Sequence, residues 1–224
     1  MEYSVQYKAR KTLAITVNPD LSIVVTAPSG TEHEQIRTKI RKRAGWIRKA
    51  QHEFQLYLLK QPPRRYVNGE SHRYLGRQYR LRARKRPEND VKCARGYFHV
   101  SIKAVPDTRL VKQLLLGWYR EHAQRVFSER LAICCKAAAT EGISCPEITI
   151  RTMKTRWGSC SKNGRVLLNL DLIKAPKECI DYVIMHELCH LKELHHGPRF
   201  WRLLKRLMPD YEKRREKLNR LVEM

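Results

Sequence analysis

The stretch Met185-His186-Glu187-Leu188-Cys189-His190-Leu191-Lys192-Glu193-Leu194-His195-His196 restricts what the rest of the chain can fold into. It reads His-Glu-x-x-His, with a further histidine at His196. On a helix, positions i and i+4 share one face about 5–6 Å apart, so His186 and His190 can present two imidazole nitrogens to one ion. Zinc takes nitrogen ligands at about 2.0–2.1 Å and, where it is catalytic, keeps one position open for water. Glu187 follows the first of these histidines, so its carboxylate can sit beside that position and take a proton from the water.

A third ligand must come from beyond that helix. A straight helix rises about 1.5 Å per residue and would carry His196 about 15 Å past His186. The helix is therefore expected to end near Lys192–Leu194, with the chain turning back. Gly197-Pro198 follows at once; Gly suits a turn and Pro the first position of a new helix. Phe200-Trp201-x-Leu203-Leu204-x-x-Leu207 then has helical apolar spacing. The break falls directly after His196, which points to His196 as third ligand, with His195 as its competitor. The motif alone has three fixed positions and arises by chance in many helices. Yet Ile180, Val183, Ile184, Leu188 and Leu191 mark a buried face, and a purely structural helix would bury two histidines and a glutamate without partners, which is costly.

At 224 residues, with 42% hydrophobic and 30% charged residues, the chain can form one large or two small cores. No apolar run reaches membrane-spanning length. The start, Met1-Glu2-Tyr3-Ser4-Val5-Gln6-Tyr7-Lys8, lacks the basic head and apolar middle of a signal peptide, so a cytoplasmic location is expected. Seven cysteines, with no Cys-x-x-Cys pair, argue against a structural zinc knot. Reduced thiols are expected, with Cys134, Cys135 and Cys189 packing as apolar groups. The net charge of +24 favours polyanions. Residues 1–104 carry 23 Lys+Arg against 8 Asp+Glu (+15), and residues 105–224 carry 23 against 14 (+9). Non-specific nucleic-acid contact through the basic N-terminal region is one reading, and a solvated surface without a partner the other.

In chain order, Val5–Lys8, Leu13–Val17 and Leu21–Thr26 read as strands around an Asn18-Pro19-Asp20 turn. Thr31 with Glu34 reads as the capping box of a helix. Ile36, Ile40, Trp46, Ile47, Phe54 and Leu58 would form its inner face through about Lys60, and Arg37, Lys39, Arg41, Lys42, Arg43, Arg48 and Lys49 its basic outer face. Gln61-Pro62-Pro63 breaks it. Tyr66–Arg84 reads as a hairpin turning at Asn68-Gly69, with Arg80, Arg82 and Arg84 at period two on one strand face. Glu88-Asn89-Asp90 reads as a loop and Tyr97–Ile102 as a strand. A long helix is expected from Asp107 or Thr108 to about Ala139, with an apolar face of Val111, Leu115, Trp118, Val126, Phe127, Leu131 and Cys134, ended by Glu141-Gly142. Ile148–Met153 and Val166–Leu170 read as strands, the second preceded by a hairpin turn at Asn163-Gly164. Ala175-Pro176-Lys177 opens the histidine helix.

Residues 151–211 resemble the YgjP-like metallopeptidase family, relatives of the SprT and WLM zincins. The resemblance rests on Arg156-Trp157-Gly158-Ser159-Cys160-Ser161, Leu168-Asn169, Asp181-Tyr182-Val183-Ile184, His186-Glu187-Leu188-Cys189-His190-Leu191, His196, Phe200-Trp201 and Pro209-Asp210-Tyr211. A looser match runs through Tyr66-x-x-Gly69-Glu70 and Tyr74-Leu75-Gly76-x-x-Tyr79. It implies an α+β zincin with one zinc ion on His186, His190 and His196, Glu187 as general base, and a protein or peptide substrate. It also implies a peptide-binding sheet edge above the metal helix. Trp157-Gly158-Ser159 is placed to line that cleft, unless Trp157 is a core anchor. The expected division is a basic, β-rich region at 1–104 and a zincin-like catalytic domain at 105–224. His195, Tyr182 and Arg156 are candidates to stabilise the oxyanion. Two rival readings stand beside the peptidase. One is a metal-dependent hydrolase of nucleotide phosphoanhydrides, although no Gly-rich phosphate loop is present. The other is a nucleic-acid-binding protein with a non-catalytic zinc site, in which an intact Glu187 would have no purpose.

Overall fold

The computed structural model describes residues 2–9, 12–17, 21–58, 64–103, 107–153, 156–161 and 163–223. The Asn18-Pro19-Asp20 turn, the Lys49, Phe54 and Leu58 side chains, Lys60 and the Gln61-Pro62-Pro63 break lie outside them. The class is α+β, in two compact units: 1–62 with 222–224, and 63–221. No helix among the described residues is long and apolar enough to cross a membrane.

In the first unit, β1 (Ser4–Lys8), β2 (Ala14–Val17) and β3 (Ile23–Pro28) form a sheet in the order β1-β3-β2, followed by helix α1 (His33–Leu58). Period-two residues Ile23, Val25 and Ala27 meet Ile36, Ile40 and Ile47 at helical spacing to make a small core. Two expectations fail here. The Thr31 hydroxyl donates to the Pro28 carbonyl (2.8 Å) and closes the turn instead of capping the helix. Trp46 is exposed, because its neighbour Ile47 takes the inward position.

The second unit opens with a four-stranded sheet, β4 (Ser71–Tyr74), β5 (Arg77–Lys85), β6 (Asp90–Ala94) and β7 (Tyr97–Ile102), in the order β4-β5-β7-β6. Asn68-Gly69 forms the expected turn, closed by Glu70 N–H donating to the Val67 carbonyl (3.1 Å), while the β4–β5 hairpin itself turns at Leu75-Gly76, both at positive φ (47° and 82°). Asn68 also bonds both the N–H and the carbonyl of Ala83 (2.5 and 3.2 Å), and Gly69 N–H donates to the Leu81 carbonyl. That segment runs alongside β5 because a side-chain amide can imitate a strand's pair of hydrogen bonds. The loop expected at Glu88-Asn89-Asp90 ends one residue early, where β6 begins at Asp90, and a second positive-φ pair, Arg95-Gly96, returns β6 onto β7 as a tight hairpin.

Helix α2 (Thr108–Ala138), N-capped by Asp107, buries the expected Val111, Leu115, Trp118, Val126, Phe127, Leu131 and Cys134. Phe98 of β7 meets its Trp118 and Tyr119 at ring separations of 5.0 and 5.6 Å. A short 3-10 turn ends at Gly142 (φ 71°). Cys135 is joined to Cys145 by a disulfide, which corrects the reading of Cys135 as a packed thiol; helix and loop bring the two Cα atoms to 5.4 Å, within bridging reach. Cys134 and Cys189 do pack as buried free thiols.

A second sheet, order β8-β10-β9, holds β8 (Ile148–Arg151), β9 (Gly158–Cys160) and β10 (Val166–Asn169). Helices α3 (Lys177–Cys189), α4 (Pro198–Leu207) and α5 (Tyr211–Glu223) follow.

The boundary expected at 104/105 falls inside the second unit. The β4–β5 turn docks on the approach to α3: Leu75 and Gly76 N–H groups donate to the Ile173 and Lys174 carbonyls (3.0 Å each). A Cβ at Gly76 would lie 2.7 Å from Pro176 Cγ. The sheet of 71–102 and helices α3 and α4 therefore share one hydrophobic core across α2.

Candidate metal and catalytic centre

Helix α3 carries the first two histidines. Its inner face, Ile180, Val183, Ile184 and Leu188, is almost fully buried, which fixes the helix's rotation. Asp181 locks it further: both carboxylate oxygens accept from Arg130 of α2 (2.6 Å each), with Arg214 of α5 at 3.5 Å. The α-helix closes at Cys189, with His190 as C-cap, a few residues earlier than expected. The chain turns through 191–197 and α4 starts at Pro198, its N1 proline in the predicted place.

That turn carries His196 back. Its Nε2 lies 2.9 Å from His186 Nε2 and 3.1 Å from His190 Nε2. An imidazole nitrogen has either one N–H or one in-plane lone pair, so His196 Nε2 cannot hydrogen-bond well to both neighbours. Three lone pairs converging on one cation resolve the conflict. Tetrahedral zinc with bonds of about 2.0–2.1 Å sets its nitrogens about 3.3 Å apart, close to these separations. His190 Nδ1 faces the Glu193 carbonyl at 3.1 Å. A carbonyl only accepts, so Nδ1 carries the proton and Nε2 keeps its lone pair, as an outer partner does for a metal-binding histidine. Burial, aided by the neighbouring histidines, pushes His186 down to about 3 and also lowers His196, so both favour the neutral form that binds a cation. Among the described residues, this is the one group of three His, Cys, Asp or Glu side chains arranged to hold a metal.

Glu187 is 5% exposed and lies against β9. Burial raises its carboxyl to about 7, opposed by the charge of Arg156 and a hydrogen bond from the Cys160 backbone. A carboxyl held near neutrality can both take and return a proton.

His195 is exposed beside His196 and does not join the cluster. Of the other oxyanion candidates, Tyr182 is 8% exposed, its hydroxyl pushed up to about 12 by burial, with its ring 5.9 Å from that of His186. Arg156 is exposed. Trp157 is half-buried and packs on the core, as an anchor would.

Four residues support the site in ways that a helix face or a cleft lining does not by itself indicate. Phe200 is fully buried, its ring 4.7–4.9 Å from all three imidazoles. Trp201 Nε1 donates to the His196 carbonyl (3.1 Å). Asn169 is buried and ties the Met153 and Arg156 backbone to the end of β10. Gly158 leaves room for Glu187. Phe200 and Trp201 were detectable as the first aromatic pair after the break, and Gly158 as a glycine inside a strand.

The family model of the YgjP-like metallopeptidase domain matches residues 11–221. The chain belongs to the YgjP-like metallopeptidase family. Members are metal-dependent peptidases, and this chain is one, with a divalent metal as its cofactor. The chain is also similar to the metallopeptidase zymogen abylysin of Pyrococcus abyssi, at 24% identity over 42% of this chain and 90% of that one, with a TM-score of 0.37. No curated protein matches it.

Proposed function

We propose that this YgjP-like metallopeptidase cleaves peptide bonds with one zinc ion held by His186, His190 and His196, and with Glu187 as general base. The observation that supports this is the convergence of three imidazole Nε2 atoms, together with the burial of Glu187, the residue that follows the first of these histidines in α3. A zinc ion bound there would polarise the scissile carbonyl and acidify water. Glu187 accepts the proton of the attacking water and returns it to the leaving amine. Strand β9 is the edge of its sheet, with Gly158 against Glu187, so an extended substrate can add to β9 and lay a carbonyl at the site. The phosphoanhydride reading finds no support in the geometry, since no carboxylate cluster able to hold a metal occurs among the described residues.

The test is Glu187→Gln, which keeps volume and removes the base. The variant should bind zinc with the wild-type stoichiometry of one and lose turnover of an unfolded protein by a factor of about 100 or more. Near-wild-type turnover would remove Glu187 from the mechanism. Zinc-loaded wild type that hydrolyses nucleotides but no protein would turn the reading to phosphoanhydrides.

A further inference from the structure

The four-stranded sheet has two faces of opposite character. Leu81, Ala83, Phe98, Val100 and Ile102 point into the core shared with α2. The strand register sets the other face. Arg80, Arg82 and Arg84 of β5 lie beside Tyr97, His99 and Ser101 of β7, and Lys92 of β6 lies beside His99. The three arginines and Lys92 are exposed, and Tyr97 and His99 are half-exposed. Among the described residues none of the three arginines pairs with a carboxylate, while Lys92 meets Asp90 at 3.3 Å.

A solvated strand face does not need a row of arginines, and unpaired like charges at i, i+2 and i+4 repel one another. Their step along the strand is about 6.6–6.8 Å, comparable to the step between phosphates of an extended polynucleotide strand. The neighbouring strand, about 4.8 Å away, supplies flat rings at the same level. Arg82 lays its guanidinium 3.5 Å from the Tyr97 ring centroid, and the Tyr97 and His99 rings are 5.8 Å apart. A phosphate-spaced cationic row beside planar stacking groups is what single-stranded nucleic acid uses, because unpaired bases expose π-faces. A duplex hides those faces, and an acidic peptide has no use for the rings.

We infer that the outer face of this sheet binds single-stranded nucleic acid, with phosphates along Arg80, Arg82 and Arg84 and bases stacked on the Arg82 guanidinium, Tyr97 and His99. The inference is independent of the peptidase reading, and Glu187→Gln should bind the same strand equally well.

The experiment is fluorescence anisotropy of the full chain with labelled oligothymidylate and oligouridylate of about 20 nucleotides, across a salt series. Three phosphate contacts should contribute about 2 to the slope of log affinity against log salt, a loss of about 20-fold between 50 and 200 mM. Arg80→Ser/Arg82→Ser/Arg84→Ser should remove that contribution. Tyr97→Ala should weaken binding about tenfold at every salt concentration with the slope unchanged, because stacking releases no ions. Arg82→Lys keeps the slope and loses affinity, which guards against misfolding as the cause. Arg41→Ser/Lys42→Ser/Arg43→Ser removes equal charge from α1 and should leave the slope as it was. Equal losses from the α1 and sheet triples would mean bulk charge and overturn the proposal. So would duplex of the same length binding as tightly, polyglutamate competing on equal terms, or no binding at the lowest salt. A preference between the two oligonucleotides would tell DNA from RNA as the partner.

Discussion

A Cβ built on Gly158 would stand 2.8 Å from Glu187 Oε1 and 2.9 Å from Glu187 Cγ, so strand β9 and the candidate base meet at a distance that only glycine permits. The backbone of β9 is thereby both the wall against which Glu187 is held and the edge offered to substrate. A methyl group there would drive the carboxyl out of its buried position.

Gly158→Ala should therefore lower kcat by tenfold or more, while zinc content stays at the wild-type level, because the three atoms nearest the added methyl all belong to Glu187. Parallel measurement of metal content and steady-state rates checks this. Unchanged kcat would show that Glu187 does not act from the position described.

His196→Ala should lose more zinc affinity than the roughly 10–100-fold that removing an outer partner costs. His195→Ala should lose little, since its ring stands outside the cluster. Competition with a chromogenic chelator ranks the two. A reversed order would hand the third position to His195.

Burial pushes His72 down to about 4; it is 5% exposed, and nearby Glu70, 3.4 Å away, opposes the shift. The unfolded chain protonates this imidazole near its ordinary 6.5, so between about 6.5 and 4 the unfolded state binds more protons. Stability is full above that window and falls as the pH drops through it, by up to about 3 kcal/mol. Urea unfolding at about pH 7 and pH 4 should show a smaller difference for His72→Gln than for wild type. Equal differences would assign the acid sensitivity to other groups.

Asp181→Ala removes the carboxylate that receives both Arg130 hydrogen bonds and leaves that guanidinium with the half-exposed Glu129 carboxylate 3.8 Å away in place of a close, buried partner. The expected cost is about 3 kcal/mol in denaturant unfolding. Adding Arg130→Met should recover part of it. If the double variant is less stable than the single, the pair was not the source of the loss.

Much of this architecture was legible in local order. The i, i+4 spacing on α3, the Gly197-Pro198 break and the apolar period of α2 are one-dimensional patterns that backbone geometry converts directly into shared faces. They were enough to bring His186 and His190 onto one face and to return a histidine to them after the break, with His196 ahead of His195, while the α+β class rested on the family resemblance. The errors fell where a choice depended on distant partners. Asn68-Gly69 does turn, but its bonds to Ala83 and Leu81 lay the turn against β5, and the β4–β5 hairpin is made by a second turn at Leu75-Gly76. Cys135 and Cys145 meet because of where the chain goes after α2. The 104/105 position lies inside the second unit, where hydrophobic burial joins the sheet of 71–102 to helices α3 and α4 through α2. Gly158 against Glu187, and Arg82 over Tyr97, are pairings of elements far apart in the chain. Period and propensity act within a few residues, whereas proximity between elements comes from close packing of the whole core, which no local pattern specifies.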